Sequence, residues 1–132
     1  MIFTEAELAF LKEQHLGRLA TTDAAGGLQN SPTGFHVDPE TGAVDIYGRA
    51  MGTTRKFRNV RTNPRVAFVV DELASTDPWR VRGVEIRGEA EAIEDHDPPF
   101  PHLSREVIRI HPRRIVSWGV DPAHEGMRGR DV

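Results

Sequence analysis

The segment VRGVEIRGEAEAIED, residues 81–95, constrains the fold more than any other. Val84, Ile86, Gly88, Ala90 and Ala92 alternate with Glu85, Arg87, Glu89 and Glu91. Successive side chains of a strand point to opposite faces, so a period of two describes a long strand with one face inward and one in water. Other strand candidates follow at short spacing: LGRLATTD, LQNSPTGFHVD with an irregularity at Pro32 and Gly34, and AVDIYGR. In the last of these Val44 and Ile46 share one face, Asp45 and Tyr47 the other. RVAFVV is near-continuously apolar, as in a strand covered on both faces. EVIRIHPRRIVSWGVD reads as one bent strand or two short ones around Pro112.

Two helices complete the pattern. FTEAELAFLKEQHLG has Thr4 and Glu7 at capping-box spacing, Phe3 and Leu8 placed as a staple, and Gly17 as a stop. The second opens at Thr53 or Thr54 and ends at Asn63-Pro64, because proline disfavours helical geometry in the residue before it. DAAGG and DPETG are turns, residues 72–80 and HDPPFPHLS loops, and the chain after Asp121 a frayed tail. Six or seven strands with one or two helices predict a mainly β (α+β) antiparallel barrel with peripheral helices, in one domain over 1–132 with 122–132 as the tail. The strand–helix alternation of a doubly wound sheet is missing.

A net charge of −3 argues against a general nucleic-acid binder. With no cysteine there is no thiol nucleophile and no Cys-ligated metal site, which suits a cytoplasmic protein. Glu5, Glu7, Lys12 and Glu13 interrupt any signal-peptide core, and no apolar run approaches a membrane span. The six histidines give no metal-ligand spacing, GxSxG and the glycine-rich dinucleotide fingerprint are absent, and no catalytic side chain stands out. An enzyme of this sequence would leave the hard chemistry to a cofactor.

The second helix has an unusual start. Arg55 and Lys56 fall in its first turn, where free N–H groups and the macrodipole already supply positive charge. An acidic residue there would gain ~0.3–1 kcal/mol that a cation forgoes. Free amides, a threonine hydroxyl and two cations, with Arg49 upstream, match the chemistry of a phosphate site; the alternative is a solvated basic surface. QNSPTGF puts Ser31, Thr33 and Gly34 in a strand, marking either an edge kink or a close ligand approach. Trp79, after Asp77-Pro78, reads as a ring cover, a core plug or a subunit contact.

YGRAMGTTRKFRNVRTNPRVAFVV resembles the phosphate-binding segment of the pyridoxamine 5′-phosphate oxidase-like split-barrel flavoproteins. FTEAELAFL, LGRLAT, DPWRVRGVEIRGEAEA and EVIRIHPRRIVSWG extend the likeness over nearly the whole chain, to a short actinobacterial branch that uses the deazaflavin coenzyme F420. The resemblance implies a six-stranded antiparallel split β-barrel that forms a homodimer, with cofactor sites at the subunit interface and a small-molecule substrate. It also implies an F420-dependent oxidoreductase, with an FMN-binding oxidoreductase or a non-catalytic carrier as alternatives. Carried over by position, Arg55 and Lys56 hold the cofactor phosphate and Thr54 donates a hydroxyl. Tyr47 and Gly48 line the phosphate and ribityl end, the backbone of Ser31, Pro32, Thr33, Gly34 and Phe35 faces the ring, and Gly83 lies near a flavin contact. Arg49 and Arg58 are further cations for the glutamate tail of F420. Trp118 is followed by Gly-Val-Asp-Pro where pyridoxamine-phosphate-oxidising members carry Trp…Arg-x-His, which points away from that activity.

Overall fold

The alternating segment is part of the longest element of the chain, a strand spanning Trp79–Ile93. The computed structural model describes residues 1–132. In chain order the elements are α1 (Glu5–Glu13), β1 (Gly17–Thr22), β2 (Leu28–Thr33), β3 (His36–Val37), β4 (Val44–Ile46), a 3-10 turn (Met51–Thr53), α2 (Arg55–Thr62), β5 (Arg65–Thr76), β6 (Trp79–Ile93), β7 (Val107–Trp118) and β8 (Met127–Asp131). Every strand pairing is antiparallel. The sheet runs β2-β1-β5-β6-β7-β4-β3, and β8 adds to β7 beyond β4. Its two end strands, β2 and β3, are separated in the chain only by Gly34 and Phe35, so the sheet curls until its edges approach. The result is the expected split barrel, with short β3 and β8 added to six main strands.

The core fills the inside of the curl. Val84, Ile86 and Ala90 of β6 are buried with Phe68 and Val70 of β5, Ile108, Ile110 and Ile115 of β7, and Val44 and Ile46 of β4. Phe10 and Leu11 bring α1 to this cluster, and Phe57 and Val60 bring α2. Burying one such side chain is worth about 1.5–3 kcal/mol, so Phe57 and Val60 fix a helix too short to stand alone.

Local chemistry sets the ends. Thr4 Oγ1 accepts from the Glu7 amide at 3.1 Å, and Glu7 Oε1 accepts from the Thr4 amide at 2.9 Å, which completes the capping box. The helix stops at Glu13, before Gly17. Gly17 instead lies in β1 against the Phe68 ring, where a Cβ would collide.

Three segments depart from the sequence expectation. Residues 72–80 are not a loop: β5 and β6 continue as a two-stranded ribbon, paired from Glu72↔Arg82 to Thr76↔Trp79. Beyond Val70 and Gly83 neither strand has another neighbour, so both faces meet water and no apolar alternation marks them. The tail is not frayed throughout either, because Met127–Asp131 pairs with β7 from Trp118 to Arg114. Ion pairs and backbone bonds hold that strand, with Arg114 on Asp131 and Arg130 on Glu7. The QNSPTGFHVD strand breaks at Gly34-Phe35 into β2 and β3. In β7 the bend takes the form of a bulge: Arg87 pairs with Arg114 and Gly88 with Pro112, leaving Arg113 extra.

Candidate functional site

The start of α2 combines the backbone and side-chain chemistry of an anion site. Thr54 is the N-cap: its Oγ1 accepts from the Phe57 amide at 3.3 Å and donates to the Met51 carbonyl at 2.7 Å. Its hydroxyl proton is thus directed into the turn. The Arg58 amide bonds Thr54 O at 3.3 Å, whereas the amides of Arg55 and Lys56 have no acceptor within the chain. Arg55 is exposed and Lys56 half-buried, no acidic residue lies in the first turn, and neither cation pairs with a carboxylate. The Arg58 guanidinium turns back to Thr53 O at 3.3 Å and adds a third positive charge. Arg49, upstream, is exposed and equally unpaired.

Asn59 fastens α2 to β1 and to β2. Asn59 is buried and donates through Nδ2 to Thr21 Oγ1 at 3.0 Å and Gln29 Oε1 at 3.5 Å. Arg55 and Lys56 precede Asn59 by four and three residues and therefore share its helix face, one turn nearer the N-terminus. Ser31 shares the inward face of β2 with Gln29, two residues along, opposite Leu19. Its Oγ is buried and has no hydrogen-bond partner, the only such side-chain atom in the chain. A buried hydroxyl left without any partner costs on the order of 1–3 kcal/mol, so Ser31 gains from any polar group that comes within reach.

The rest of the expected ring-facing stretch is built for close approach. Pro32 is exposed, and Thr33 is buried with its hydroxyl on Gly34 O at 3.2 Å. A Cβ on Gly34 would find only the His15 carbonyl, at 3.8 Å, so the surface there is open backbone. Phe35 is anchored edge-on to Phe68, with centroids 5.4 Å apart.

Tyr47, Gly48 and Gly83 each make contacts within the chain. The Tyr47 hydroxyl lies 3.2 Å from His96 Nδ1 and 3.4 Å from Asp45 Oδ2, and Asp45 takes a two-pronged grip from Arg109 at 2.8 and 3.0 Å. Burial, then the Asp45 charge, raises the phenol above its ordinary range, while the Asp45 bonds raise Arg109. Gly48 O accepts from the Ser104 amide and hydroxyl at 2.8 and 3.0 Å, Ser104 Oγ accepts from the Met51 amide, and Glu106 accepts from the Gly52 amide at 3.1 Å. The loop from Glu94 to Glu106 therefore clamps the connection that leads into α2. His96, Ser104, Glu106 and Arg109 lie some fifty residues from that connection, so no spacing in the sequence announces them. Gly83 lies against the Trp118 ring, which a Cβ would strike.

A hollow of about 620 Å3 runs beside β1, β5 and β6 and includes Arg65, Arg87 and Arg113, and neither Arg55 nor Lys56 lines it. The chemistry of the α2 terminus rests on its unpaired groups. No cluster of three metal-ligating side chains exists, and no helix is long and apolar enough to cross a membrane.

Residues 3–119 match the pyridoxamine 5′-phosphate oxidase family. The chain belongs to that family. It is 48 % identical over 134 residues to the 5a,11a-dehydrotetracycline/5a,11a-dehydrooxytetracycline reductase of Streptomyces rimosus, covering 100 % of this chain and 94 % of that one. Among solved structures, a conserved hypothetical protein from Mycobacterium tuberculosis superposes with a TM-score of 0.68 at 24 % identity, over 91 % of this chain and 87 % of its own. An F420 reductase superposes with a TM-score of 0.65 at 23 % identity, over 86 % of this chain and 98 % of its own. Both confirm the fold. With the family and a named reductase at that identity, this member is an oxidoreductase.

Proposed function

We propose that this protein is an F420-dependent reductase of an activated carbon–carbon double bond in a polycyclic compound. The observation that carries the reading is the α2 terminus, with two amides without acceptors and two cations without partners; the unpaired buried hydroxyl of Ser31 on β2 supports it. The residues present fit a phosphate-bearing cofactor. Arg55 and Lys56 would bind the phosphate with their side chains and free amides, Arg49 and Arg58 would meet a polyanionic tail, and Ser31 would gain the partner it lacks. Gly34 leaves room for a flat ring at the edge of β2, and Phe35, held by Phe68, fixes the height of that edge. Bound in its reduced form, the deazaflavin supplies a hydride. The protein contributes orientation and exclusion of water, since no side chain at this terminus is placed as an acid or base.

Support for the substrate class comes from the Streptomyces rimosus reductase, whose name specifies a ring double bond between carbons 5a and 11a. Reduction of such a bond adds a hydride to one carbon and a proton to the other. We also propose that two copies pair, because the α2 terminus is open on one side and the outer face of β5 at Ala67 and Val69 is only half covered.

The test is a side-by-side titration with F420 and FMN. F420 is expected to bind with micromolar affinity and to lose at least about tenfold in the Arg55→Ala/Lys56→Ala protein, as two charge-assisted contacts to phosphate require. Tighter binding of FMN would reassign the cofactor, and unchanged affinity in the double variant would remove the site. Failure to reduce any of a panel of dehydro-polyketides with F420 bound would leave a carrier. Sedimentation equilibrium at twice the chain mass would bear out the pair.

A further inference from the structure

The turn that leads into α2 is held by side chains from a distant part of the chain. Ser104 and Glu106 lie between β6 and β7, and both bond to the residues from Gly48 to Gly52. A serine hydroxyl offers one proton and two lone pairs, and Ser104 uses both functions. Its proton goes to the Gly48 carbonyl at 3.0 Å, and its oxygen accepts from the Met51 amide at 3.0 Å. The Ser104 amide adds a second bond to Gly48 O at 2.8 Å. Glu106 Oε1 accepts from the Gly52 amide at 3.1 Å, and its carboxyl group would collide with a Cβ on Gly52.

The 3-10 turn needs this help because its own first position cannot provide it. Ala50 stands at the N-cap and has no side chain to accept a hydrogen bond. Ser104 and Glu106 take the Met51 and Gly52 amides instead. Met51 then passes the restraint onward. Its side chain is fully buried, and its carbonyl accepts the Thr54 amide at 3.0 Å and the Thr54 hydroxyl at 2.7 Å. Thr54 in turn caps Phe57. A line of hydrogen bonds thus runs from Ser104 through Met51 to the N-cap of α2, and the next two amides are the free ones of Arg55 and Lys56.

Long cationic side chains can follow an anion that shifts, whereas backbone amides point where the turn aims them. The directional part of anion binding at α2 therefore depends on what holds the turn. We propose that Ser104 is a positioning residue for that site: by fixing Met51 it aims the Arg55 and Lys56 amides at the phosphate. Its only hydroxyl proton is engaged within the chain, so it acts through the turn. This inference rests on the reading of the α2 terminus as a phosphate site.

The test compares two ligands on the full chain: F420, and the phosphate-free deazaflavin that keeps only the ring and its ribityl chain. If FMN is the tighter cofactor, FMN and riboflavin form the same pair. Ser104→Ala should weaken the phosphate-bearing compound about fivefold and leave the phosphate-free one unchanged. Ser104→Thr, which keeps the hydroxyl, should restore most of the loss. A general loosening of the fold would instead weaken both compounds alike, and that result overturns the proposal. So does a Ser104→Thr protein that binds no better than Ser104→Ala. Thermal melting verifies that each variant folds. Should Ser104→Ala fail to melt cooperatively, Ser104→Cys takes its place, with a smaller loss for the phosphate-bearing compound because a thiol is a weaker donor and acceptor. Arg55→Ala/Lys56→Ala separates the two readings. Unchanged affinity there removes the phosphate site and this inference with it, whereas a loss there with none in Ser104→Ala overturns this inference alone.

Discussion

Arg130, in the last strand, grips Glu7 of the first helix through two parallel bonds, 2.7 Å from Nη2 to Oε1 and 3.0 Å from Nη1 to Oε2. The same guanidinium donates to the Ile2 carbonyl at 2.6 Å, and Glu7 is buried to 1 % exposure. One arginine thus fastens both ends of the chain. Removing it would strand a buried carboxylate, and such losses cost about 3–5 kcal/mol. Because the Arg130 side chain is partly exposed, Arg130→Met should cost near the lower end, about 3 kcal/mol, read as a lower urea midpoint. A loss below about 0.5 kcal/mol would mean that the tail contributes nothing to holding α1.

The same pair has a pH signature. Burial pushes the Glu7 carboxyl up, but the bonds from Arg130, from the Thr4 amide and from Ser117 outweigh it, and the net shift is downward. A carboxyl depressed in the folded state contributes stability that is complete above its unfolded pKa, ~4.3, and is lost as pH falls through the folded value. The wild-type melting temperature should therefore drop below about pH 4, and Glu7→Gln, though less stable throughout, should show a flatter acid limb. Parallel acid limbs would show that Glu7 titrates alike in both states.

Ser31 separates stability from binding. Its buried hydroxyl is unpaired, so Ser31→Ala removes a group whose desolvation is uncompensated. The ligand-free protein should be unchanged or up to about 1 kcal/mol more stable, while affinity for F420 falls. A variant that loses stability without losing affinity would show that the hydroxyl has a structural partner, such as an ordered water.

Trp118 depends on the missing side chain of Gly83. A Cβ there meets the indole ring, and β6 is held rigid by pairing with β5 and β7 on either side. Gly83→Ala should cost about 1–3 kcal/mol by overpacking and shift the tryptophan emission, since the ring must tilt away. An unchanged spectrum with unchanged stability would place Trp118 off the strand.

The legible parts of the fold were those where burial imposes a period. The alternation from Val84 to Ala92 disclosed β6, and Thr4 with Glu7 disclosed the start of α1, since both are local patterns. The ribbon beyond Val70 and the strand Met127–Asp131 were illegible because backbone pairing and ion pairs hold them with no inward face. Arg55 and Lys56 could be singled out because cations at a helix start break a local rule. Ser31 could not be singled out as unpaired, because what its hydroxyl lacks depends on what Leu19 and α2 bring near it. The contact of Tyr47 with His96 could not be read from the sequence, because it arises from a loop about fifty residues away.

The cations of α2 provide the last test, because they should harm the ligand-free helix that carries them. Arg55 is exposed, lies among free amides and the positive end of the macrodipole, and has Lys56 and Arg58 as neighbours. Reversing its charge should stabilise the helix by the ~0.3–1 kcal/mol that a first-turn carboxylate gains. Arg55→Glu is therefore expected to raise the melting temperature of the ligand-free protein and to abolish F420 binding, by repelling the phosphate and occupying the free amides. Added salt should shrink the stability gain, since both charges are in water. The opposite pairing, a less stable apoprotein that still binds F420, would mean that Arg55 supports the fold and that the phosphate lies elsewhere.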